Sequence, residues 1–112
     1  MKISEVKEIL DAEILTGEDM QDEEVFTACG SDLMSDVLAF VKHQGLLLTG
    51  LNNLQVVRTA DMMDIRAIVF VRGKTPDEEI ITLAKRKDMI ILTTNEPLYS
   101  ACGKLYAGGL VR

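Results

Sequence analysis

Four short segments of this sequence are rich in glycine, hydroxyl, amide or charged residues, and each begins at the end of a predicted strand or directly after it. They are Gly30-Ser31-Asp32, Thr49-Gly50-Leu51-Asn52-Asn53, Arg72-Gly73-Lys74-Thr75 and Thr93-Thr94-Asn95-Glu96. In an open parallel sheet, ligands bind beyond the carboxyl ends of the strands, where loops lead into helices. Backbone N–H groups there, together with an arginine and a lysine, can hold a phosphate or a carboxylate.

The candidate ligand-binding residues are therefore polar and glycine positions within these four segments. They are Ser31, Asp32, Thr49, Gly50, Asn52, Asn53, Arg72, Gly73, Lys74, Thr94 and Asn95. A nucleotide or a phosphorylated metabolite is the ligand class that suits them. The alternative is that these residues only cap helices, because Ser, Thr and Asn are also the preferred capping residues.

None of these segments completes a nucleotide-hydrolysing loop. Gly73-Lys74-Thr75 resembles the end of such a loop, but the first glycine of the pattern would stand at position 68. Ile68 occupies that position within a predicted strand, and Pro76 follows the segment directly. The sequence therefore predicts no phosphate-binding loop of this kind.

The remaining reactive side chains do not form a catalytic or metal-binding set. Asp32 and Asp36 are spaced to share a helix face, which would suit magnesium or acid–base chemistry, but acidic residues at a helix start also stabilise the helix dipole. His43 has no serine or cysteine visibly paired with it. Cys29 and Cys102 are too far apart in sequence for a zinc or redox motif and are expected to be reduced thiols. We expect no catalytic residue, metal or cofactor.

Composition predicts one globular domain over residues 1–112. Hydrophobic residues make up 47% and charged residues 27%. No apolar run approaches the roughly 20 residues that span a bilayer, so we expect no membrane partner. The charged amino terminus is unlike a signal peptide. We therefore expect a cytoplasmic location.

The formal net charge of −6 is unevenly distributed. Residues 1–40 contain eleven acidic and two basic groups (−9), and residues 41–112 contain seven acidic and ten basic groups (+3). This balance argues against a nucleic-acid partner, because binding to phosphates requires clustered basic residues. The acidic segment is either a solvated face or one end of a dipole that steers self-association or the approach of a basic partner.

Strands and helices alternate along the chain. Predicted strands are 12–16, 25–30, 46–49, 67–71 and 89–93, from runs of apolar and β-branched residues. Predicted helices start after Ser4, after Ser31 or Asp32 (with the helix over 33–43), after Asn52 or Asn53, after Thr75, and after Thr94 or Asn95. Pro76 is expected at the first position of the fourth helix. This order predicts a three-layer α/β/α domain with a mostly parallel sheet.

Segment 22–28, Asp-Glu-Glu-Val-Phe-Thr-Ala, and the residues after it at 31–38 resemble the motif that names the DRTGG domain. The likeness extends to 10–18 and 67–74. DRTGG domains are similar to the amino-terminal domain of HPr kinase/phosphorylase, and they accompany CBS domains in regulated pyrophosphatases and occur in some phosphotransacetylases. The resemblance implies the fold of that amino-terminal domain and a regulatory or assembly module, often at a dimer interface.

The chain departs from the family motif at the residues that name it. Glu23 occupies the arginine position, and Phe26-Thr27-Ala28 stand where Thr-Gly-Gly would be. These changes remove a planar cation and two permissive glycines, so no ligand site is carried over to this segment.

Two hypotheses follow. In the first, the chain is a non-catalytic regulatory or interaction module that forms a homodimer and modulates a partner enzyme. In the alternative, it is a sensor that binds a nucleotide or phosphorylated metabolite at the strand-end loops. A hydrolase or transferase would require an acid–base pair that the sequence does not reveal.

Overall fold

A computed structural model of the chain describes residues 1–40 and 45–111. In these ranges, the strands are β1 (Glu13–Thr16), β2 (Thr27–Gly30), β3 (Gly45–Thr49), β4 (Ala67–Phe70) and β5 (Ile90–Thr93). The helices are α1 (Ile3–Leu10), α2 (Met34–Phe40), α3 (Leu54–Met62), α4 (Glu78–Arg86) and α5 (Leu98–Ala107), with a short 3-10 helix at Glu18–Met20. None of the helices in these ranges is long and apolar enough to cross a membrane.

The strands form one sheet in the order β1-β5-β4-β3-β2. Strands β2 to β5 are parallel and adjacent in chain order, whereas β1 pairs antiparallel with β5. Right-handed crossovers that all step in one direction place their helices on one face of the sheet. Accordingly, α2, α3 and α4 pack on one face, and α1 and α5 pack on the other. The predicted three-layer α/β/α architecture is confirmed.

The central strands β3 and β4 explain the continuous apolar runs in the sequence. Leu46 and Leu48 face α1 and α5, while Leu47 faces α2, α3 and α4. All three side chains are almost fully buried. A strand covered on both faces has no polar side, so its sequence cannot alternate.

Two predicted helix starts near the ends of the chain are wrong. Helix α1 begins at Ile3, before the predicted cap Ser4, because the chain at Lys2 already bridges to Glu24. Helix α5 begins at Leu98, with Pro97 at the cap position. Neither Thr94 nor Asn95 caps it.

The predicted start of α4 is also wrong, whereas that of α3 is confirmed. Helix α4 is capped at Asp77, so Thr75 and Pro76 precede it. The Asp77 N–H donates to the Asn52 side chain at 3.3 Å, which fixes this start from a distant loop. Asn53 caps α3, and its side-chain oxygen accepts the Val56 N–H.

The boundaries around α2 differ from the prediction. Strand β2 begins at Thr27, so residues 25 and 26 do not belong to it. Helix α2 begins at Met34 rather than Leu33. Residues 41–44, which include His43 and the predicted end of this helix, lie outside the described residues.

A buried threonine joins the antiparallel edge strand to the rest of the sheet. The pairing register of β1 and β5 shifts between Ile14 and Thr16. At this irregularity the Thr16 hydroxyl donates to the Met89 carbonyl at 2.7 Å and accepts the Ile91 N–H at 3.1 Å. The side chain thus satisfies two backbone groups that a regular strand would pair directly.

We expect Thr16→Val to lower the free energy of unfolding by about 1–3 kcal/mol, because it leaves a buried N–H and a buried carbonyl without their partner. Urea denaturation measures this change. Thr82→Val, on the exposed side of α4, is the matched control and should change stability by less than about 0.5 kcal/mol. Equal effects of the two substitutions would contradict a bridging role for the Thr16 hydroxyl.

Candidate functional site at the carboxyl edge of the sheet

The carboxyl ends of β2, β3, β4 and β5 lie side by side, and the four predicted loops follow them at one edge of the sheet. Hydrogen bonds link these loops to neighbouring strands and loops. The Ser31 N–H donates to the Leu48 carbonyl at 3.0 Å, and the Gly73 N–H donates to the Thr94 carbonyl at 2.8 Å. The prediction that these segments come together is therefore confirmed for their backbone.

Asp32 forms the centre of this edge. One carboxylate oxygen accepts the Gly50 N–H at 2.7 Å and the Thr49 hydroxyl at 3.0 Å. The other carboxylate oxygen accepts from the Arg72 guanidinium at 3.3 Å. Gly50 is buried, so its N–H requires a partner from the protein, and Asp32 provides it. A carboxylate thus already occupies the place where an anionic ligand would meet the β3 loop.

Arg72 is held in an unusual backbone conformation. Its φ is +62°, in the left-handed region that side chains other than glycine seldom adopt. The Arg72 N–H donates to the Glu96 carbonyl at 2.8 Å, which fixes this turn against the β5 loop. The guanidinium lies over the backbone of Gly50, where a β-carbon would collide with it. Gly50 is therefore needed for the approach of the arginine.

Gly73 and Lys74 complete the β4 loop. Gly73 also has positive φ, +69°, and the side-chain oxygen of Asn95 lies close to it. The Lys74 carbonyl accepts from the Thr93 hydroxyl at 2.7 Å, and the Lys74 side chain is exposed. Arg72 and Lys74 therefore present two cations on one short turn.

Several predicted site residues have structural roles. The Thr94 hydroxyl is buried and donates to the Leu10 carbonyl at 2.7 Å, so it points away from solvent. Asn53 is a helix cap, and Asn52 binds the backbone that precedes α4. The Ser31 hydroxyl accepts the N–H of Leu33 in a local turn. Asn53 thus caps a helix as the capping alternative predicts, and the other three side chains make hydrogen bonds within the protein.

The charge state of Asp32 follows from its contacts. The Gly50 N–H, the Thr49 hydroxyl and the Arg72 guanidinium all favour the ionised form and hold the pKa of the Asp32 carboxyl below its ordinary value of 3.8. Partial burial opposes this shift. The carboxylate is therefore ionised at neutral pH and cannot serve as an acid there.

Asp32 and Asp36 do not form the pair that their spacing suggested. Asp32 precedes α2 and turns toward Gly50, whereas Asp36 lies in the first turn of the helix. Within residues 1–40 and 45–111, no three His, Cys, Asp or Glu side chains are grouped closely enough to hold a metal ion. Burial raises the pKa of both free thiols, Cys29 and Cys102.

The altered motif at 22–28 lies away from this edge. It leads into β2, whose first two residues are Thr27 and Ala28, and therefore lies at the amino end of the parallel strands. Glu23 and Val25 are bonded there to the start of the chain, through Ile3 N–H and the Met1 carbonyl. The segment connects the amino terminus to the sheet.

The sequence did not reveal the hydrogen-bond partners that hold the loops of this edge together. It suggested that Asp32 caps a helix or binds a metal, but it did not predict that the carboxylate reaches the Gly50 N–H. It also omitted the Glu96 and Leu10 carbonyls, which fix Arg72 and Thr94. Backbone carbonyls carry no residue-type signal, so no pattern in the sequence identifies them.

Asp32→Asn tests the electrostatic role of this carboxylate. A lowered pKa stabilises the folded state above the unfolded-state value, and this contribution is lost as the pH falls through the folded pKa. We therefore expect the wild-type advantage over Asp32→Asn to be constant from about pH 7 to 5 and to shrink below about pH 4. Because 41% of the side chain is exposed, the advantage at neutral pH should be under about 1 kcal/mol.

Urea unfolding at a series of pH values measures this difference. Asp22→Asn, a substitution of another exposed aspartate, controls for the general loss of a negative charge. A wild-type advantage that stays constant down to about pH 2.5 would contradict the assignment.

Comparisons with known proteins agree with this fold. The family model of the DRTGG domain matches residues 5–106. Among solved structures, the CBS and DRTGG domains of the regulatory region of Clostridium perfringens pyrophosphatase, complexed with the activator diadenosine tetraphosphate, align with a TM-score of 0.77 at 18% sequence identity. The match covers 93% of this chain and 45% of that chain, so this chain corresponds to less than half of its length. No curated protein sequence matches. The chain belongs to the DRTGG domain family.

Proposed function

We propose that this protein is a non-catalytic regulatory module that binds an anionic ligand, a nucleotide or phosphorylated metabolite, at the carboxyl edge of the sheet. In this proposal the ligand state alters a partner enzyme. Membership of the DRTGG family supports a regulatory role. The similar pyrophosphatase structure is a regulatory region bound to a nucleotide activator, which makes nucleotides the first ligands to test.

The conformation of Arg72 carries this proposal. A left-handed backbone at a residue other than glycine costs on the order of 1 kcal/mol and persists only where the surroundings impose it. The backbone bond to Glu96 imposes it here and brings the guanidinium over Gly50. A planar guanidinium can bind two phosphate oxygens at once, so this position suits phosphate recognition.

The ion pair with Asp32 leaves Arg72 available to a ligand. The two groups meet at 3.3 Å, and their side chains are 45% and 41% exposed. Such an exposed pair contributes at most about 1 kcal/mol. A ligand phosphate that also contacts Lys74 can therefore compete with Asp32 for the guanidinium. Asp32 keeps its bonds to Gly50 and Thr49 and need not move.

A thermal-shift screen with ATP, AMP, diadenosine tetraphosphate and sugar phosphates tests the proposal. For a ligand at ten times its dissociation constant, binding adds about 1.4 kcal/mol, which raises Tm by roughly 5 °C in a domain of this size. An unchanged Tm with every compound at millimolar concentration would refute ligand binding of this class.

Variants of the edge locate the site once a compound shifts Tm. Arg72→Ala should weaken binding by at least about tenfold, because it removes a charge-assisted contact. Gly50→Ala should weaken it similarly by displacing the guanidinium, although Arg72 remains. Asp32→Asn should strengthen binding, because it removes the competing carboxylate and keeps an oxygen for the Gly50 N–H. Isothermal titration calorimetry measures each dissociation constant.

Arg58→Ala is the matched control for the loss of an arginine. Arg58 lies in an open groove of about 460 Å³ between α3 and α4, which also contains Arg86 and Glu79. Binding should be unchanged in this variant. A loss of binding in Arg58→Ala, with normal binding in Arg72→Ala, would place the ligand in that groove and contradict the proposed site.

A further inference from the structure

The outer face of α5 carries two exposed tyrosines. Tyr99 is 91% exposed and Tyr106 is 63% exposed. An open groove of about 540 Å³ lies between them, lined also by Gly103 and Ala107. Large apolar side chains left in solvent beside a groove are typical of interaction surfaces.

The spacing of these residues is symmetric about Gly103. Tyr99 and Ala107 lie four residues before and after it, so the three residues form one row on the helix surface. Ser100 and Tyr106 lie three residues before and after it and form a second row. Each row therefore has a large residue at one end, a small residue at the other and glycine in the middle.

The described residues give Gly103 no role within its own chain. A side chain at this position would meet no atom within 4 Å. Its φ is not positive, so the backbone does not require glycine. Glycine inside a helix is less favourable than alanine. A close approach by another molecule would explain why the position lacks a side chain.

The charge of this face permits contact between two copies. The chain has a net charge of −6, and eleven of its eighteen acidic groups lie in residues 1–40. Residues 97–111 contain no carboxylate side chain and one basic residue, Lys104. Two copies that meet through α5 therefore keep their acidic segments out of the contact, which limits repulsion.

We propose that α5 binds α5 of a second copy of this chain, antiparallel, around a two-fold axis at Gly103. Tyr99 of each copy then lies against Ala107 of the other, and Tyr106 lies against Ser100. In such an isologous contact the same surface of each copy forms both halves of the interface. The two rows fit this arrangement, because the large residue at one end of each row then meets the small residue at the other end. This proposal does not depend on ligand binding at the carboxyl edge.

The available area suits a reversible dimer. At their observed exposure, the two tyrosines supply roughly 300 Å² per copy, since a tyrosine buries about 150–250 Å². Specific interfaces bury about 600–1,000 Å² per partner, so the tyrosines supply a third to a half of that area. In the proposed dimer the remaining area comes from the surface around these tyrosines. We therefore expect a dissociation constant on the order of micromolar.

Sedimentation equilibrium on the full chain tests this dimer. The wild type should approach twice the 12.4 kDa chain mass as its concentration rises through the micromolar range. Gly103→Glu places two carboxylates together at the axis and should weaken dimerisation by at least about 100-fold. Thr82→Glu makes the same charge change on exposed α4, on the other face of the sheet, and should leave the dimer intact.

A cross-linking experiment fixes the position of the axis. In a Cys29→Ser, Cys102→Ser background, Gly103→Cys should form an intermolecular disulfide under mild oxidation, because residues at a two-fold axis meet their own copies. Thr82→Cys in the same background should not. A monomeric wild type at about 100 µM would overturn the proposal. So would a dimer that Gly103→Glu leaves unchanged.

Discussion

The fold depends on covering both faces of β3 and β4 at the same time. Every residue of β3, from Gly45 to Thr49, and of β4, from Ala67 to Phe70, is buried. Strands without a polar side require helices on each face of the sheet. Because β2 to β5 are adjacent in chain order, their right-handed crossovers place α2, α3 and α4 on one face. The other face is left for α1 and α5, which lie before and after this series of crossovers.

The same constraint produces the candidate site. Buried parallel strands in chain order end side by side, and their last backbone groups must find partners inside the protein. Asp32 is the partner of the Gly50 N–H. The carboxylate oxygen that accepts this hydrogen bond is not the one that contacts Arg72. The left-handed backbone of Arg72, which its hydrogen bond to the Glu96 carbonyl imposes, is therefore an additional cost that the pairing of the Gly50 N–H does not require. Backbone strain beside two exposed cations is the physical reason to propose ligand binding at this turn rather than in the groove between α3 and α4.

Local sequence patterns predicted the layers of this fold correctly. They did not predict the features that depend on hydrogen bonds between residues far apart in the sequence. Apolar runs identified every strand in the described ranges. The cap of α3 was predicted as Asn52 or Asn53, and Asn53 is the cap, through a bond that lies within three residues. Thr94 has the right residue type for a cap, but its hydroxyl binds the Leu10 carbonyl, 84 residues away. Likewise, the four loops were expected at one edge because parallel topology brings them there. The left-handed conformation of Arg72 could not be predicted, because arginine has no preference for it.

The β5–α5 segment connects the candidate ligand site with the proposed dimer surface. The Glu96 carbonyl accepts the Arg72 N–H, and the Glu96 carboxylate pairs at 2.6 Å with Lys104, next to Gly103 on α5. Such a connection does not by itself make binding at one site change the affinity of the other. That effect requires a structural element with two arrangements, and both sites must influence the balance between them. Here the segment is tied to the buried core by the Thr94 hydroxyl and by the buried side of α5. These contacts hold the segment in one arrangement in the structure, so we expect ligand affinity and dimer affinity to be independent of each other.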